Sequence, residues 1–252
     1  MKLSKTWKIL IVIFSIITIF SVSSYFAANK TVAEKMTNMN KYIDIIYYIN
    51  LDHREDRKIG ILEEIAKIDF PEDTIVRIPG VYKKGQGSLG CSLSHVIALE
   101  TFVQSGYNTC IIFEDDFGFS ETKEQVEQSM TQLFESVDFD VCMLACWDQE
   151  VEPVEGYDFI KKVNRGLTTS GYIVTKKFAP ILLDNFKQGS TILEQKFKEN
   201  SNYVTEYKYE IDEYWVSLQT PNNWFVFNPK LGKQRDSYSD VREREKIVEH
   251  DF

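Results

Sequence analysis

Short apolar runs that alternate with segments of helical periodicity constrain the fold of this chain more than any other feature. Residues 43–50 (IDIIYYIN) and 109–113 (TCIIF) are rich in β-branched and aromatic residues. Runs that are apolar at successive positions are typical of strands buried on both faces of a sheet. Residues 56–68, which follow the first run, carry apolar side chains at helical spacing. This order predicts βαβ units, and hence one α/β domain with a mainly parallel central sheet.

The same alternation continues towards the C-terminus. Further strands are predicted at 74–78, 139–145, 171–175 and 224–227, and further helices at 92–104, 122–135, 176–186 and 209–219. The chain has 252 residues, of which 43% are hydrophobic and 27% charged, so it can bury a sizeable core. This composition excludes a wholly disordered, collagen-like or coiled-coil chain.

The N-terminal segment predicts a membrane anchor. Residues 9–29 form an uncharged stretch of 21 residues, which as a helix would span about 30 Å, the thickness of the hydrocarbon core. Three lysines precede it, which favours a cytoplasmic tail at 1–8 and a single-pass type II protein. A stem would follow at 30–40, and the α/β domain at 41–252 would be lumenal or extracytoplasmic, of ER or Golgi type in a eukaryotic or viral setting. A cleaved signal peptide is the alternative.

The net charge of the chain limits its possible partners, whereas its cysteines leave the disulfide pairing open. A formal net charge of −9 argues against a nucleic-acid backbone as partner. The four cysteines allow three disulfide pairings, and buried thiols fit equally well. With three histidines and no nucleophile elbow, no serine–histidine–acid triad is indicated.

The acidic triplet Glu114, Asp115 and Asp116 directly follows the strand predicted at 109–113. Ligands of parallel sheets bind outside the carboxyl ends of the strands, so these acids face the expected crevice. Like charges in contact need a neutralising cation, and a hard divalent ion such as Mg²⁺ or Mn²⁺ suits oxygen ligands. A solvated acidic turn before the next helix is the alternative.

Two other segments are suited to binding an anion. The glycine-rich run 85–95 (GQGSLGCSLSH) enters a helix, whose free N–H groups suit phosphate, although a helix capped by Ser92 explains it equally well. Arg54 and Arg57 follow the first strand and could bind phosphate or carboxylate, or belong to a charged helix start. Asp212 lies among apolar helix neighbours and could reach the cleft, or be an ordinary acid at a helix N-terminus.

Three segments in this order resemble glycosyltransferase family 25, which includes bacterial lipooligosaccharide galactosyltransferases and the collagen galactosyltransferases. They are 46–57 (IYYINLDHREDR), 87–95 (GSLGCSLSH) and 111–116 (IIFEDD). Looser similarity follows at 169–174, at Asp212 and at 228–240, so that the resemblance covers roughly residues 43–240.

The resemblance implies a GT-A type, Rossmann-like nucleotide-sugar fold and an inverting transfer from a UDP-sugar. Galactose is the first expectation for the hexose and glucose the second. The acceptor would be a glycan or a hydroxylated side chain, of glycoprotein or lipopolysaccharide type. Asp116 and Asp115 would hold Mn²⁺ or Mg²⁺, and Asp212 would be the catalytic base. The residues implied around the nucleotide sugar are Asn50, Arg54, Arg57, Gly90, Ser94, His95, Glu114, Asp115, Gln234, Ser239 and Asp240.

Two other functions compete with this one. A catalytically silent relative would bind glycans or partners without transferring sugar. A metal-dependent phosphodiester hydrolase on a similar sheet is weakened by the scarcity of histidines for a two-metal site.

Overall fold

An eight-stranded sheet forms the centre of the chain. The computed structural model describes residues 41–235 in full, and the backbone of two further short strands at 237–239 and 244–246. The strands are β1 (Ile45–Asn50), β2 (Ile75–Pro79), β3 (Thr109–Glu114), β4 (Phe117–Phe119), β5 (Val141–Met143), β6 (Trp147–Val154), β7 (Tyr157–Leu167), β8 (Gly171–Thr175), β9 (Trp224–Phe227), β10 (Gly232–Gln234), β11 (Ser237–Ser239) and β12 (Arg244–Lys246). In the large sheet they lie in the order β2-β1-β3-β8-β5-β9-β7-β6, while β4 pairs with β10 and β11 with β12.

The large sheet is mixed, and the expectation of a mainly parallel sheet holds only in part. β1 pairs in parallel with β2 and β3, and β5 with β9. β8 lies between β3 and β5 and runs antiparallel to both, and β7 runs antiparallel to β6 and β9. The direction of each strand could not be predicted from the sequence, because a run buried on both faces has the same apolar pattern in either direction.

Six α-helices accompany the sheet within the described residues. They are α1 (Glu55–Ala66), α2 (Gly87–Ser105), α3 (Lys123–Ser136), α4 (Ala179–Glu199), α5 (Ile211–Tyr214) and α6 (Val216–Gln219). Short 3₁₀ turns lie at Glu72–Thr74 and Tyr207–Tyr209. Compared with the prediction, α2 begins five residues earlier, α4 continues past 186, and the helix expected at 209–219 is broken into a turn and two short helices.

Alternate residues of β1 enter two separate hydrophobic cores. Tyr47 packs in the core that contains Leu99 of α2 and Leu182 of α4. Ile46 packs in the core that contains residues of α1 and α3, among them Ile65. Since side chains of a strand alternate between the faces of a sheet, helices cover both faces. Each such buried side chain contributes about 1.5–3 kcal/mol relative to an exposed one, so both faces stabilise the fold.

Ser92 does not cap α2, which corrects one reading of the glycine-rich segment. It lies in the second turn, where its hydroxyl donates to the Ser88 carbonyl oxygen at 3.0 Å, and Gln86 occupies the N-cap position. In contrast, Thr122 caps α3 in a complete capping box with Gln125.

The predicted tail at 1–8, membrane segment at 9–29 and stem at 30–40 fall outside the described residues. Among the helices that the structure does describe, none has the length and apolar character that a membrane crossing requires.

Candidate active site

A polar cleft opens at the carboxyl ends of β1 and β3, where the sequence placed the crevice. Its empty volume is about 1110 Å³, a figure that includes open solvent at the mouth. The beginning of α2, the segment after β7 and the beginning of α5 complete its wall. Of the predicted site residues, the structure brings together Asn50, Arg57, Ser94, His95, Glu114, Asp115, Asp116, Asp212 and Gln234.

Asp115 is held by two side chains of the segment that follows β1. Parallel pairing of β1 with β3 sets Ile49 beside Glu114, which brings the ends of the two strands together. The Asn50 amide donates to one Asp115 oxygen at 2.8 Å, and the Arg57 guanidinium donates to the other at 2.8 Å. Burial raises the pKa of Asp115, although Arg57 opposes the rise. Both carboxylate oxygens are thus engaged within the protein.

Asp116 is a buried acid of the cleft with one unsatisfied carboxylate oxygen. Pairing of β10 with β4 brings in Gln234, whose amide donates to Asp116 Oδ2 at 2.9 Å. Asp116 Oδ1 is buried and has no hydrogen-bond partner among the described residues. Burial, reinforced by the negative charge of Glu114, raises the pKa of Asp116 to about 7. A cation in the cleft would stabilise the ionised form of this carboxyl.

Glu114 turns to a different set of partners. Its Oε1 accepts a hydrogen bond from the Thr169 hydroxyl at 2.5 Å and lies 3.1 Å from His95 Nε2. His95 Nδ1 lies 3.0 Å from the Tyr172 hydroxyl, and His95 is fully buried. The side chains of the three acids therefore point to different partners. Arg57 supplies part of the positive charge that was expected to neutralise them.

Asp212 lies at the cleft, while its neighbour Glu213 is engaged elsewhere. The backbone N–H of Thr168 donates to Asp212 Oδ2 at 3.0 Å. Thr168 has a φ of 74°, in the left-handed region that a threonine rarely adopts, and this hydrogen bond helps to hold it there. Glu213 accepts two hydrogen bonds from Arg165, each of 2.7 Å. Of these two acids, Asp212 is the one placed to contact a ligand.

Gly90 and Ser94 shape the cleft from behind. A Cβ on Gly90 would lie 2.4 Å from the Val81 carbonyl oxygen, so only glycine permits this approach. The Ser94 hydroxyl donates to the Gly90 carbonyl oxygen at 2.7 Å and accepts from the Val81 N–H at 2.8 Å. These two residues fix the segment after β2 that forms one wall.

Of the predicted site residues, Arg54 and Gly90 do not line the cleft, and the described residues leave Ser239 and Asp240 untested. Arg54 donates to Asp56 at 2.9 and 3.0 Å and does not line it. Ser239 lies in β11, where only the backbone is described, and Asp240 lies outside the described residues.

Sequence reasoning missed several residues that line the cleft, among them Lys83, Cys91, Thr168, Thr169 and Glu210. Lys83 could have been found, because it lies two residues before the glycine-rich run at 85–95 and offers a cation for phosphate. Nothing in the sequence marks Glu210 or Thr168, since the turns that bring them to the cleft depend on tertiary packing.

Comparison with protein-family models indicates the class of enzyme to which the chain belongs. A family model matches residues 81–196, a range that includes α2, β3, the acidic triplet and β8. The chain is a glycosyltransferase. The matching family is described as "Glycosyltransferase family 25 (LPS biosynthesis protein)", which confirms the resemblance carried by residues 87–95 and 111–116.

Three solved structures show a distant likeness to this chain. A197 from STIV is 11% identical, with 82% of this chain and 98% of that chain covered and a TM-score of 0.38. Mannose-1-phosphate geranyltransferase from Thermus thermophilus is 10% identical, with 78% and 75% covered and a TM-score of 0.38. A glycosyltransferase involved in glycosylation of the major capsid of PBCV-1 is 11% identical, with 73% and 92% covered and a TM-score of 0.34. At these scores the likenesses carry no argument. No curated protein matches the sequence.

Proposed function

We propose that this glycosyltransferase has a GT-A type fold and moves a hexose from a UDP-sugar to an acceptor hydroxyl, with inversion and with Mn²⁺ or Mg²⁺ as cofactor. Galactose is the first expectation and glucose the second. The acceptor is a glycan or a hydroxylated side chain, of glycoprotein or lipopolysaccharide type. The observation that carries the metal-dependent part is Asp116, whose buried Oδ1 has no hydrogen-bond partner in the described part of the chain.

The donor atoms at the acidic triplet fit a hard divalent ion. Asp116 Oδ1 offers the oxygen ligand that Mg²⁺ and Mn²⁺ prefer. Asp115 already accepts from Asn50 and Arg57, so it orients Arg57 beside Asp116 and is the weaker candidate for a direct ligand. When bound, such an ion stabilises negative charge on the departing diphosphate.

Other groups of the cleft are suited to the nucleotide end of the donor. Arg57 and Lys83 are cations that line the cleft, and phosphate oxygens are their natural partners. Gly87 and Ser88, in the first turn of α2, also line it, and N–H groups of a helix start attract phosphate.

Asp212 is the proposed general base. Inversion requires the acceptor hydroxyl to attack from the face opposite the leaving diphosphate, and a carboxylate within hydrogen-bond reach takes its proton. Asp212 lines the cleft, and the Thr168 N–H fixes one of its oxygens.

The first test is release of UDP from a panel of UDP-sugars by the purified full-length chain, with Mn²⁺ and then with a chelator. We expect turnover of one donor that requires the ion. Asp116→Asn should abolish it, while the exposed control Asp158→Asn should not. Equal turnover with chelator, or in Asp116→Asn, would remove metal dependence from the proposal.

The alternative of a catalytically silent relative gains support from one observation. Arg57, Asn50 and Gln234 contact Asp115 and Asp116, so an intact acidic triplet does not by itself require an ion or a reaction. A silent protein would be folded and would bind a glycan, yet release no UDP from any donor in the same assay.

We also propose that residues 9–29 anchor the chain as a single-pass type II membrane protein. The support is the uncharged stretch of 21 residues after three lysines. An anchored chain stays in the membrane pellet after alkaline carbonate extraction and keeps its original N-terminus, whereas a cleaved signal peptide gives a new N-terminus.

A further inference from the structure

Three donor atoms of different chemical types converge in the cleft beside the acidic triplet. A sulfur of Cys91, a ring nitrogen of His95 and a carboxylate oxygen of Glu114 all lie within 4.8 Å of one another. Cys91 and His95 are four residues apart on α2, so they share one face of the helix, and Glu114 is the last residue of β3. All three residues line the cleft; Cys91 and Glu114 are partly exposed, whereas His95 is buried, so an ion would reach His95 past the other two side chains.

The nature of these donors selects a different ion from the one proposed at Asp116. Thiolate and imidazole suit Zn²⁺ and similar borderline ions, whereas sites made only of oxygen suit Mg²⁺ and Mn²⁺. We propose that Cys91, His95 and Glu114 form a binding site for Zn²⁺ that is separate from the position at Asp116.

The geometry is close to that of a tetrahedral site. Ligand atoms of a tetrahedral zinc ion lie about 3.6 Å apart, given bonds of about 2.0–2.3 Å. His95 Nε2 and Glu114 Oε1 are already 3.1 Å apart, and no pair of the three donors exceeds 4.8 Å. A rotation of the Cys91 side chain, which is only partly buried, is the adjustment that the site requires.

Neighbouring hydroxyl groups support the ligands as an outer shell does in zinc proteins. The Tyr172 hydroxyl lies 3.0 Å from His95 Nδ1 and can either donate or accept, so it permits the tautomer that leaves Nε2 for a metal. The Thr169 hydroxyl donates to Glu114 Oε1 and orients that carboxylate. On binding, the Cys91 thiol releases its proton to solvent, and His95 stays neutral with its proton on Nδ1.

An ion held by three protein ligands keeps at least one open position that faces the cleft. Zinc in this site would lie beside the acidic triplet and, after the Cys91 thiol has lost its proton, would add one net positive charge there. If the proposed transferase activity holds, Zn²⁺ should therefore inhibit the reaction that Mn²⁺ supports. This last step rests on the proposed function, whereas zinc binding itself does not.

The test uses the metal-stripped, reduced full-length chain and Co²⁺ as a spectroscopic substitute for Zn²⁺. We expect a thiolate-to-cobalt charge-transfer band that Zn²⁺ abolishes and that excess Mg²⁺ leaves unchanged. Cys91→Ser should remove the band. The matched control Cys146→Ser should keep it, because Cys146 is buried and does not line the cleft.

Zinc affinity provides the second measurement. We expect His95→Gln to weaken Zn²⁺ binding at least tenfold, and Tyr172→Phe to weaken it about tenfold through loss of the outer-shell hydroxyl. Circular dichroism establishes that each variant is folded, and if Cys91→Ser is not, the other two variants decide. Absence of the band, or unchanged zinc affinity in folded His95→Gln, would overturn the site. UDP release is read separately, so failure of the transferase proposal leaves this result intact.

Discussion

The protonation of Asp116 makes the stability of the fold depend on pH. Its pKa is raised from 3.8 to about 7 by burial and by the charge of Glu114. A carboxyl whose pKa is higher in the folded state stabilises the fold while it is protonated, below its unfolded pKa near 4. That contribution is lost as pH rises through about 7, because the buried charge then has to form.

Asp116→Asn should remove this pH dependence, since an amide stays neutral. At pH 8 we expect the free energy of unfolding of the variant to exceed that of the unmodified chain by about 1–4 kcal/mol, seen as a higher urea midpoint. At pH 4 we expect similar midpoints for both. Both measurements are made with chelator present. The control Asp158→Asn should follow the unmodified chain at both pH values, and a shift of equal size at both would refute the argument.

Asp212 and Glu213 are adjacent in α5 but should respond differently to substitution. Asp212→Asn should lower kcat about 10²–10⁴-fold with unchanged donor affinity, as expected for loss of a general base. Glu213→Gln should leave kcat nearly unchanged and cost about 1–3 kcal/mol of stability, because Glu213 is buried against Arg165. Steady-state kinetics and urea unfolding of both variants separate the roles. A loss of kcat in Glu213→Gln but not in Asp212→Asn would make Glu213, and not Asp212, the candidate base.

At the scale of elements, the contact between α2 and the segment after β2 shapes one wall of the cleft. Alanine favours a helix over glycine by about 1 kcal/mol. At Gly90, however, its Cβ would lie 2.4 Å from the Val81 carbonyl oxygen. We therefore expect Gly90→Ala to destabilise the fold by about 1–3 kcal/mol net, and to weaken donor binding through displacement of the wall.

Thr101→Ala on the exposed face of the same helix is the matched control, and we expect a change within about 0.5 kcal/mol. Thermal unfolding and donor titration of both variants give the answer. A Gly90→Ala variant as stable as the control variant would mean that α2 is not held against Val81.

The elements that could be predicted from sequence are those whose burial leaves a pattern. β1, β3, β8 and β9 are buried almost throughout, and each was predicted within two residues. The hairpin of β6 and β7 was missed, because its residues are largely exposed or half-buried and carry alternating charges that resemble a loop. The second half of α4 was missed because Lys187, Gln188 and Gly189 interrupt the apolar pattern before Leu193 resumes it.

The candidate site could be predicted in its members but not in their grouping. A triplet of acids after a buried strand was readable, and so was a glycine-rich helix start. That Glu114 turns towards His95 while Asp115 turns towards Arg57 depends on partners 19 and 58 residues away in sequence. These residues are brought together by the packing of α1 and α2 on opposite faces of the sheet. No local sequence pattern predicts that packing.

At the scale of the whole molecule, the cleft is assembled from segments spread over most of the described chain. The residues that line it run from Ile49 in β1 to Gln234 in β10. A ligand in this cleft therefore contacts groups that separate when the domain unfolds. Binding to the folded state alone stabilises by RT ln(1 + [L]/Kd), about 2.7 kcal/mol at a hundredfold excess over Kd.

A UDP-sugar with Mn²⁺ should accordingly raise the Tm of the full-length chain by about 5–10 °C at that excess, since each kcal/mol shifts the Tm of a domain of this size by about 2–4 °C. Chelator should reduce the shift, because Asp116 then lacks the ion that joins it to the diphosphate. Asp116→Asn should show the smaller shift with or without Mn²⁺, whereas Asp158→Asn should behave as the unmodified chain does. A shift of the same size with chelator would mean that Arg57 and the other side chains of the cleft bind the donor without an ion. The Arg57 guanidinium would then be the group that neutralises the diphosphate, in place of the metal.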